Sequence, residues 1–355
     1  MGEYARSLTI ARACLNRWPR AQLHFVLSRH APYAGTVPFP ATLLDSSPTF
    51  HSAAVIQVMT RFAPTVVIFD NAGRTAQLRA AHRQGARVVY ISARARQRRK
   101  AFRWRWLKLI DEHWIAYPAF IAGNLNFIER LKLKMHAAVR VRFLDVILSQ
   151  DPDTPRVPPP FAGGSFVLMV PGGGTGHPGA PDAVAQFQLA ARALVAGGMA
   201  TLLIGVADTS PAPATLPAPA TLPAPAKLPA PAMLKMMGPL PQSQLAQLLR
   251  EARIVVANGG STLLQAIACS AACVAVPIAA DQAARIQRCV AAAVAVDASL
   301  NADSIVAAAS RLWSDNAART ALARRAQDLK LADGVQVAIQ GLERLIKAAA
   351  DTAVP

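Results

Sequence analysis

At 355 residues, 53% of them hydrophobic, the chain is long enough for two domains of ordinary size and too apolar for a disordered one. No apolar run reaches the ~18–20 residues needed to span a bilayer, and Met1-Gly2-Glu3 leads into a polar helical pattern without a signal peptide, so a cytoplasmic protein is expected. The formal net charge of +18 favours an anionic partner: a nucleotide, a nucleic acid or a membrane surface.

The first 150 residues read as alternating helices and strands. Residues 5–17 carry an amphipathic helical pattern, and 23–27 and 41–45 read as strands. A helix follows over 55–62. Thr65 to Phe69 is a buried strand ending in Asp70, 78–82 is helical, and 87–91 is a further strand. Alternation of this kind implies a parallel sheet with right-handed crossovers. The four cysteines, Cys14, Cys269, Cys273 and Cys289, show no metal-type spacing and read as small buried hydrophobes.

Residues 94–110 form a basic block in which Phe102, Trp104, Trp106, Leu107, Leu109 and Ile110 interleave with arginines. A helix here would carry one apolar and one basic face. It suits an anionic lipid surface at the inner face of the cell membrane, or a core helix with a solvated basic face. Nucleic acid is the least favoured partner. A strand is expected near Trp114 to Tyr117, and the chain to about Leu148 closes the first domain.

Asp151-Pro152-Asp153 has the Asp-x-Asp form of a metal site, but it sits in DPDTPRVPPP. Residues 151–164 are therefore read as a proline-rich linker between domains and not as a metal site. The second domain, 165–333, opens with a strand over 166–170. Gly172-Gly173-Gly174-Thr175-Gly176-His177 follows at its carboxyl end, where open α/β sheets bind ligands. His177 reads either as a phosphate contact or as a solvated loop residue. A helix over 183–195 and a strand over 200–206 come next. Residues 209–232 repeat LPAPA and are expected to loop outside the fold. A strand at 233–237 and a helix at 244–251 resume the alternation. Helices over 302–331 and 334–350 end the chain.

Ile254 to Gln282 organises the whole. Four apolar residues make a buried strand, and Asn258-Gly259-Gly260 breaks it. Ser261 or Thr262 is placed to cap a helix carrying Leu263, Leu264 and Ile267. Cys273 to Val276 is a second strand, ended by Pro277, and Asp281-Gln282 open another helix. Two glycines let a backbone come close to a ligand. The helix behind them points free N–H groups and a positive dipole end at the gap, where a phosphate fits.

Gly259-Gly260-Ser261-Thr262, Gln265, Pro277 and Asp281-Gln282, in this order and spacing, resemble the donor half of GT-B glycosyltransferases. The likeness is nearest to the family 28 C-terminal domain of the peptidoglycan N-acetylglucosaminyltransferase. Two positions depart from that pattern: Gln265 stands where these enzymes often carry a ribose-holding glutamate, and Asn258 where many carry a histidine. The resemblance implies two Rossmann-like domains with parallel sheets, and the last helix, 334–355, crossing back to an acceptor-side domain at 1–150. It implies metal-independent transfer of a hexosyl group from a nucleotide-diphosphate sugar, expected to be a UDP-sugar, to a lipid-linked or glycan acceptor, with no cofactor.

In that reading Gly172, Gly173, Gly174 and Thr175 face the diphosphate together with Asn258, Gly259, Gly260, Ser261 and Thr262. Leu240 lies beside the base, Gln265 near the ribose, and Asp281 and Gln282 on the sugar hydroxyls. Glu3, in the place of the first glycine loop's base, is the expected catalytic residue. The same resemblance places a strand ahead of that loop, where this sequence has only Met1. The N-terminal sheet is therefore expected to lack its first strand, with a start further upstream or a degraded enzyme as the two explanations. Two other functions stay open: a nucleotide-sugar hydrolase on the same scaffold, and a non-catalytic basic binding protein on a decayed transferase fold.

Overall fold

The computed structural model describes residues 2–149, 161, 164–172, 182–206 and 233–353. The linker at 151–160, the run from Gly173 to His177 and the repeat at 209–232 lie outside the described residues. The chain divides into two compact units, Met1–Ile147 with Leu331–Pro355, and Leu148–Lys330.

The first unit runs α1 (Gly2–Arg17), β1 (Phe25–Ser28), β2 (Ala41–Leu44), α2 (Ser52–Phe62), β3 (Val66–Asp70), α3 (Thr75–Arg83) and β4 (Arg87–Ser92). It continues with α4 (Ala95–Ala101), α5 (Trp104–Leu107), β5 (Glu112–Ile115), α6 (Ala119–Ala122), α7 (Phe127–Met135) and β6 (Arg140–Phe143). Strands β3-β4-β5-β6 pair in that order, all parallel. Side chains alternate across this sheet with the strand's period of two. Val88 and Tyr90 enter a core with Leu78 and Trp106, while Val89 and Ile91 enter the opposite one with Ile10 and Leu342.

β1 pairs only with β2 in a separate two-stranded parallel sheet. Among the described residues no strand joins β1 to β3. A cavity of about 660 Å³ lies there, lined by Leu23, Val26, Val67, Phe69, Ile10 and Cys14 among others.

The second unit runs β7 (Val167–Val170), α8 (Ala183–Ala196), β8 (Thr201–Ile204), β9 (Leu234–Met237), α9 (Gln242–Glu251) and β10 (Ile254–Asn258). Then come α10 (Ser261–Ala268), β11 (Cys273–Val276), α11 (Ala280–Ala291), β12 (Val296–Asp297), α12 (Ala302–Ser314) and α13 (Asn316–Asp328). The sequence suggests one long helix over 302–331. The structure breaks it at Asp315, whose carboxylate accepts from Ala318 N at 2.8 Å and caps α13. The six strands form one parallel sheet in the order β12-β11-β10-β7-β8-β9. Its four central strands are near-continuous apolar runs, fully buried, as a sheet covered on both faces requires.

The last helix, α14 (Gly334–Ala353), belongs to the first unit. Ala338, Ile339, Leu342 and Leu345 face the same core as Val89 and Trp114. Arg344 on this helix donates Nε to Oε1 of Glu112 at 2.9 Å, and Arg142 donates to Oε2 at 2.9 Å. Trp114 Nε1 donates to Oε2 at 2.5 Å. Glu112 is fully buried, so these donors are what let its charge exist there.

Candidate functional site

The second unit's sheet has a topological switch point. From β7 the chain winds outward to β8 and β9, then returns to β10 on the other side of β7 and winds outward to β11 and β12. Ligands of open α/β sheets bind outside the carboxyl ends of the strands at such a point. Both described glycine turns flank it. Gly172 follows β7, and Gly259-Gly260 follow β10.

One side chain ties the turns together. Asn258 Nδ2 donates to the Pro171 carbonyl at 2.8 Å, and Asn258 Oδ1 accepts from Gly260 N at 2.8 Å. This closeness supplies a local reason for two of the glycines. Gly172 has φ +141°, and a Cβ there would stand 2.6 Å from Asn258 Nδ2. A Cβ on Gly260 would stand 2.6 Å from Asn258 Oδ1. The glycines therefore serve the turn itself, because Asn258 fills the space a side chain would take.

Gln282 makes a second tie. Its Oε1 accepts from Gly259 N at 3.2 Å and from Ile278 N at 3.0 Å. The side chain is buried, and its oxygen points into the backbone. Of the Asp281-Gln282 pair it is thus the aspartate that offers a carboxylate outward, with its side chain 67% exposed. Arg285 joins the same turn. Its guanidinium donates to the Gly259 carbonyl and lies 3.6 Å from the Asp281 carboxylate, one helical turn away. The i, i+4 spacing to Asp281 was the available signal.

Helix α10 begins directly behind the turn. The expectation that Ser261 or Thr262 caps it is corrected: the cap position is Gly260, and no side chain caps the helix. Ser261 is exposed and Thr262 half-buried. The first-turn amides lack intrahelical partners and carry the helix's positive end. Gln265 lies one turn further along, buried, with Nε2 3.5 Å from Gln242 Oε1. Gln242 opens α9 just after half-buried Leu240, so the Leu240 loop and Gln265 come together. Gly173, Gly174 and Thr175 lie outside the described residues.

The first unit holds a separate polar cluster at the carboxyl end of β3. Arg6 of α1 grips Asp70 with two bonds, Nε to Oδ2 at 3.0 Å and Nη2 to Oδ1 at 2.6 Å. Ser7 Oγ donates to Oδ2 at 3.1 Å. Burial pushes the Asp70 carboxyl up, and the Arg6 guanidinium opposes that rise. Asn71 Nδ2 donates to Glu3 Oε1 at 2.7 Å, while Asn71 Oδ1 accepts from Ala93 N at 2.7 Å. Asn71 takes a left-handed φ of +55°, which lets it reach both. The exposed Glu3 carboxylate is thereby fixed at the strand ends, beside the stacked rings of Tyr4 and Tyr33.

The basic block is not one helix. It folds as α4 and α5, joined at Phe102–Arg103. Arg98 is buried, pairing with Glu129 at 2.7 Å and donating to the carbonyls of Ala122, Gly123 and Asn124. Trp106 is buried as well, its Nε1 donating to Thr75 Oγ1 at 3.0 Å, with the Lys100 ammonium 4.3 Å from its ring. These side chains hold the fold and do not face solvent. Arg96, Arg99, Arg103, Trp104, Arg105 and Lys108 remain at the surface.

Among the described residues no group of three or more His, Cys, Asp or Glu side chains could hold a metal ion, and no helix is long and apolar enough to cross a membrane. Cys14, Cys273 and Cys289 are buried free thiols, and Cys269 is half-buried. Burial pushes the Cys14 thiol up to about 11.

No family model matches the chain, and no curated protein matches it. Solved structures do. The spinosyn forosaminyltransferase superposes with a TM-score of 0.64 at 11% identity, over 97% of this chain and 96% of that one. The glycotransferase of kitacinnamycin gives 0.62 at 16%, over 96% and 94%. The S. aureus MnaA–UDP complex gives 0.58 at 12%, over 97% and 94%. The fold is thus GT-B-like: α/β, with parallel sheets in two domains. A putative UDP-N-acetylglucosamine 2-epimerase from Listeria monocytogenes is equally similar, at 0.58 and 12%. The likeness carries the GT-B fold and does not single out family 28.

Proposed function

We propose that this chain is a glycosyltransferase that takes a hexosyl group from a nucleotide-diphosphate sugar, a UDP-sugar above all, and delivers it to a lipid-linked or glycan hydroxyl. One observation carries the reading. The two described glycine turns lie at the switch point of the second unit's sheet, tied by Asn258, with the uncapped start of α10 directly behind. That arrangement suits a diphosphate.

In this mechanism the α10 amides and Arg285 meet the negative charge that grows on the diphosphate as it leaves. One helix end contributes roughly 0.3–1 kcal/mol, up to about 2 when partly buried, so several donors act together. Asp281 takes sugar hydroxyls, Gln265 the ribose and the Leu240 loop the base. Glu3 accepts the acceptor's proton as the new glycosidic bond forms, and Asn71 holds that carboxylate in place.

A 2-epimerase reading is favoured by the Listeria neighbour and would use the same nucleotide-sugar site. Incubating the protein with UDP-sugars, with and without sugar acceptors, separates the readings. Transfer predicts UDP release that requires an acceptor and is lost in Glu3→Gln, with nucleotide binding kept. Acceptor-independent release of free sugar indicates hydrolysis, a C2-inverted UDP-sugar indicates epimerisation, and either outcome overturns the proposal.

A further inference from the structure

Helix α7 faces the wrong way for a core element. Phe127, Ile128, Leu131 and Met135 are between 46% and 72% exposed. At about 100° per residue they fall within one arc of roughly 100°. The same rotation puts Lys134 on one border of that arc and Lys132 on the other. The inward side of the helix carries Glu129, which pairs with Arg98 and closes the capping box on Asn126, and Leu133, which packs half-buried against the core. The helix is thus seated on the unit by an ion pair and by Leu133, with its four other large apolar side chains left in solvent.

The exposed remainder of the basic block adjoins it. The Trp104 ring is 43% exposed and lies 5.3 Å from the His136 ring, with Lys132 Nζ 5.5 Å from its centroid. Arg103 and Arg105 flank Trp104 in the chain, both exposed. Residues 94–140 hold twelve Lys and Arg and three carboxylates. Each carboxylate is already paired with an arginine: Asp111 with Arg87, Glu112 with Arg142 and Arg344, and Glu129 with Arg98. No carboxylate is left on this stretch to repel an anionic surface.

We propose that α7 and Trp104 form a membrane-docking face that lies in the headgroup region of an anionic lipid bilayer. An apolar strip on one helix, bordered by lysines and joined by a tryptophan, matches an interfacial helix. The surrounding arginines supply the attraction to acidic headgroups. A nucleic acid would use the cations but has no need of Phe127, Ile128 and Met135. The inference concerns the first unit alone and stands whether or not the donor reading holds.

The test is co-sedimentation of the full chain with vesicles of phosphatidylcholine mixed with phosphatidylglycerol, against phosphatidylcholine alone. Binding should require phosphatidylglycerol and weaken as the Debye length falls from about 10 Å at 0.1 M salt to about 3 Å at 1 M. Phe127→Ser/Ile128→Ser/Met135→Ser should cut partitioning by ~10-fold or more, because the strip loses its buried apolar area. Arg103→Gln/Arg105→Gln/Lys134→Gln should cut it comparably and remove most of the salt dependence. All six side chains are exposed, so both variants should unfold at the wild-type temperature. Wild-type affinity for vesicles in the serine variant overturns the proposal. So does self-association that the serine variant abolishes while vesicle binding persists, since a second copy would then cover the strip. Tighter binding to RNA than to vesicles, unaffected by the serine changes, overturns it as well.

Discussion

Asn258, at the end of β10, donates its side-chain amide to the carbonyl of Pro171, just beyond the end of β7. The two strands are sheet neighbours whose chain connections depart in opposite directions, and this bond fixes the mouth between them. Asn258→Ala leaves the Gly260 amide and the Pro171 carbonyl without these partners. With a buried unsatisfied group costing about 1–3 kcal/mol, the loss should be roughly 2 kcal/mol in urea unfolding. UDP affinity should fall with it, because Gly260 is then no longer held. An Asn258→Ala chain with wild-type stability and affinity removes this bond from the account.

Much of the fold was legible because its signals are local. Runs such as Val66–Asp70 and Ile254–Asn258 are short, apolar and bounded by polar or glycine residues, which is how a buried parallel strand reads. The glycine turns and the helix behind them were legible for the same reason. What escaped depends on distant partners. Arg98 reads as one more surface cation until Glu129 and three carbonyls are placed around it. Glu112 reads in sequence as one of two adjacent carboxylates, yet it anchors a helix more than 200 residues away. Gly341 looks unremarkable in a helix, yet a Cβ there would stand 2.6 Å from Glu112 Oε2. Helix α7 turns most of its apolar residues outward and buries Glu129, the reverse of the pattern by which a core helix reads. Gln282 was assigned to the ligand by resemblance, and only the structure shows its oxygen turned to Gly259 and Ile278.

His113 makes the first unit acid-sensitive. It is fully buried, with Nε2 2.8 Å from Ser92 Oγ, and burial lowers its pKa to about 3, with the Arg98 charge adding to the effect. The unfolded chain's histidine titrates near 6.5, so between these values the unfolded state holds a proton that the folded state does not. The stability tied to neutral His113 is complete above pH 6.5 and is lost as pH falls toward 3, at up to about 1.4 kcal/mol per pH unit. His113→Gln should flatten the stability profile across that window. A slope equal to wild type would show that His113 does not titrate on unfolding.

The cavity between β1 and β3 has the walls of a strand site. Ile68 of β3 is more exposed than a central strand residue should be, and Val26 and Val67 line the space. α1 begins at the carboxyl end of β3, where Arg6 and Ser7 meet Asp70, so a strand leading into α1 would run parallel to β3. Fusing a five-residue apolar strand and a glycine turn ahead of Gly2 should protect the amides of Val66–Asp70 from exchange. It should also raise Tm, at about 2–4 °C per kcal/mol gained for a unit of this size. A control fusion with proline inside the strand should do neither, since proline cannot complete the ladder. Equal behaviour of the two fusions would show that the cavity does not accept a strand.

The central claim is that a nucleotide diphosphate binds at the switch point of the second unit. Hydrogen exchange of the full chain with and without UDP tests it most directly. The account predicts slowed exchange at Gly172 and from Gly259 through Leu264, with Gln265 and the Leu240 loop following, and no change in Val66–Asp70. Protection that is absent at saturating UDP, or that falls elsewhere in the chain, contradicts it.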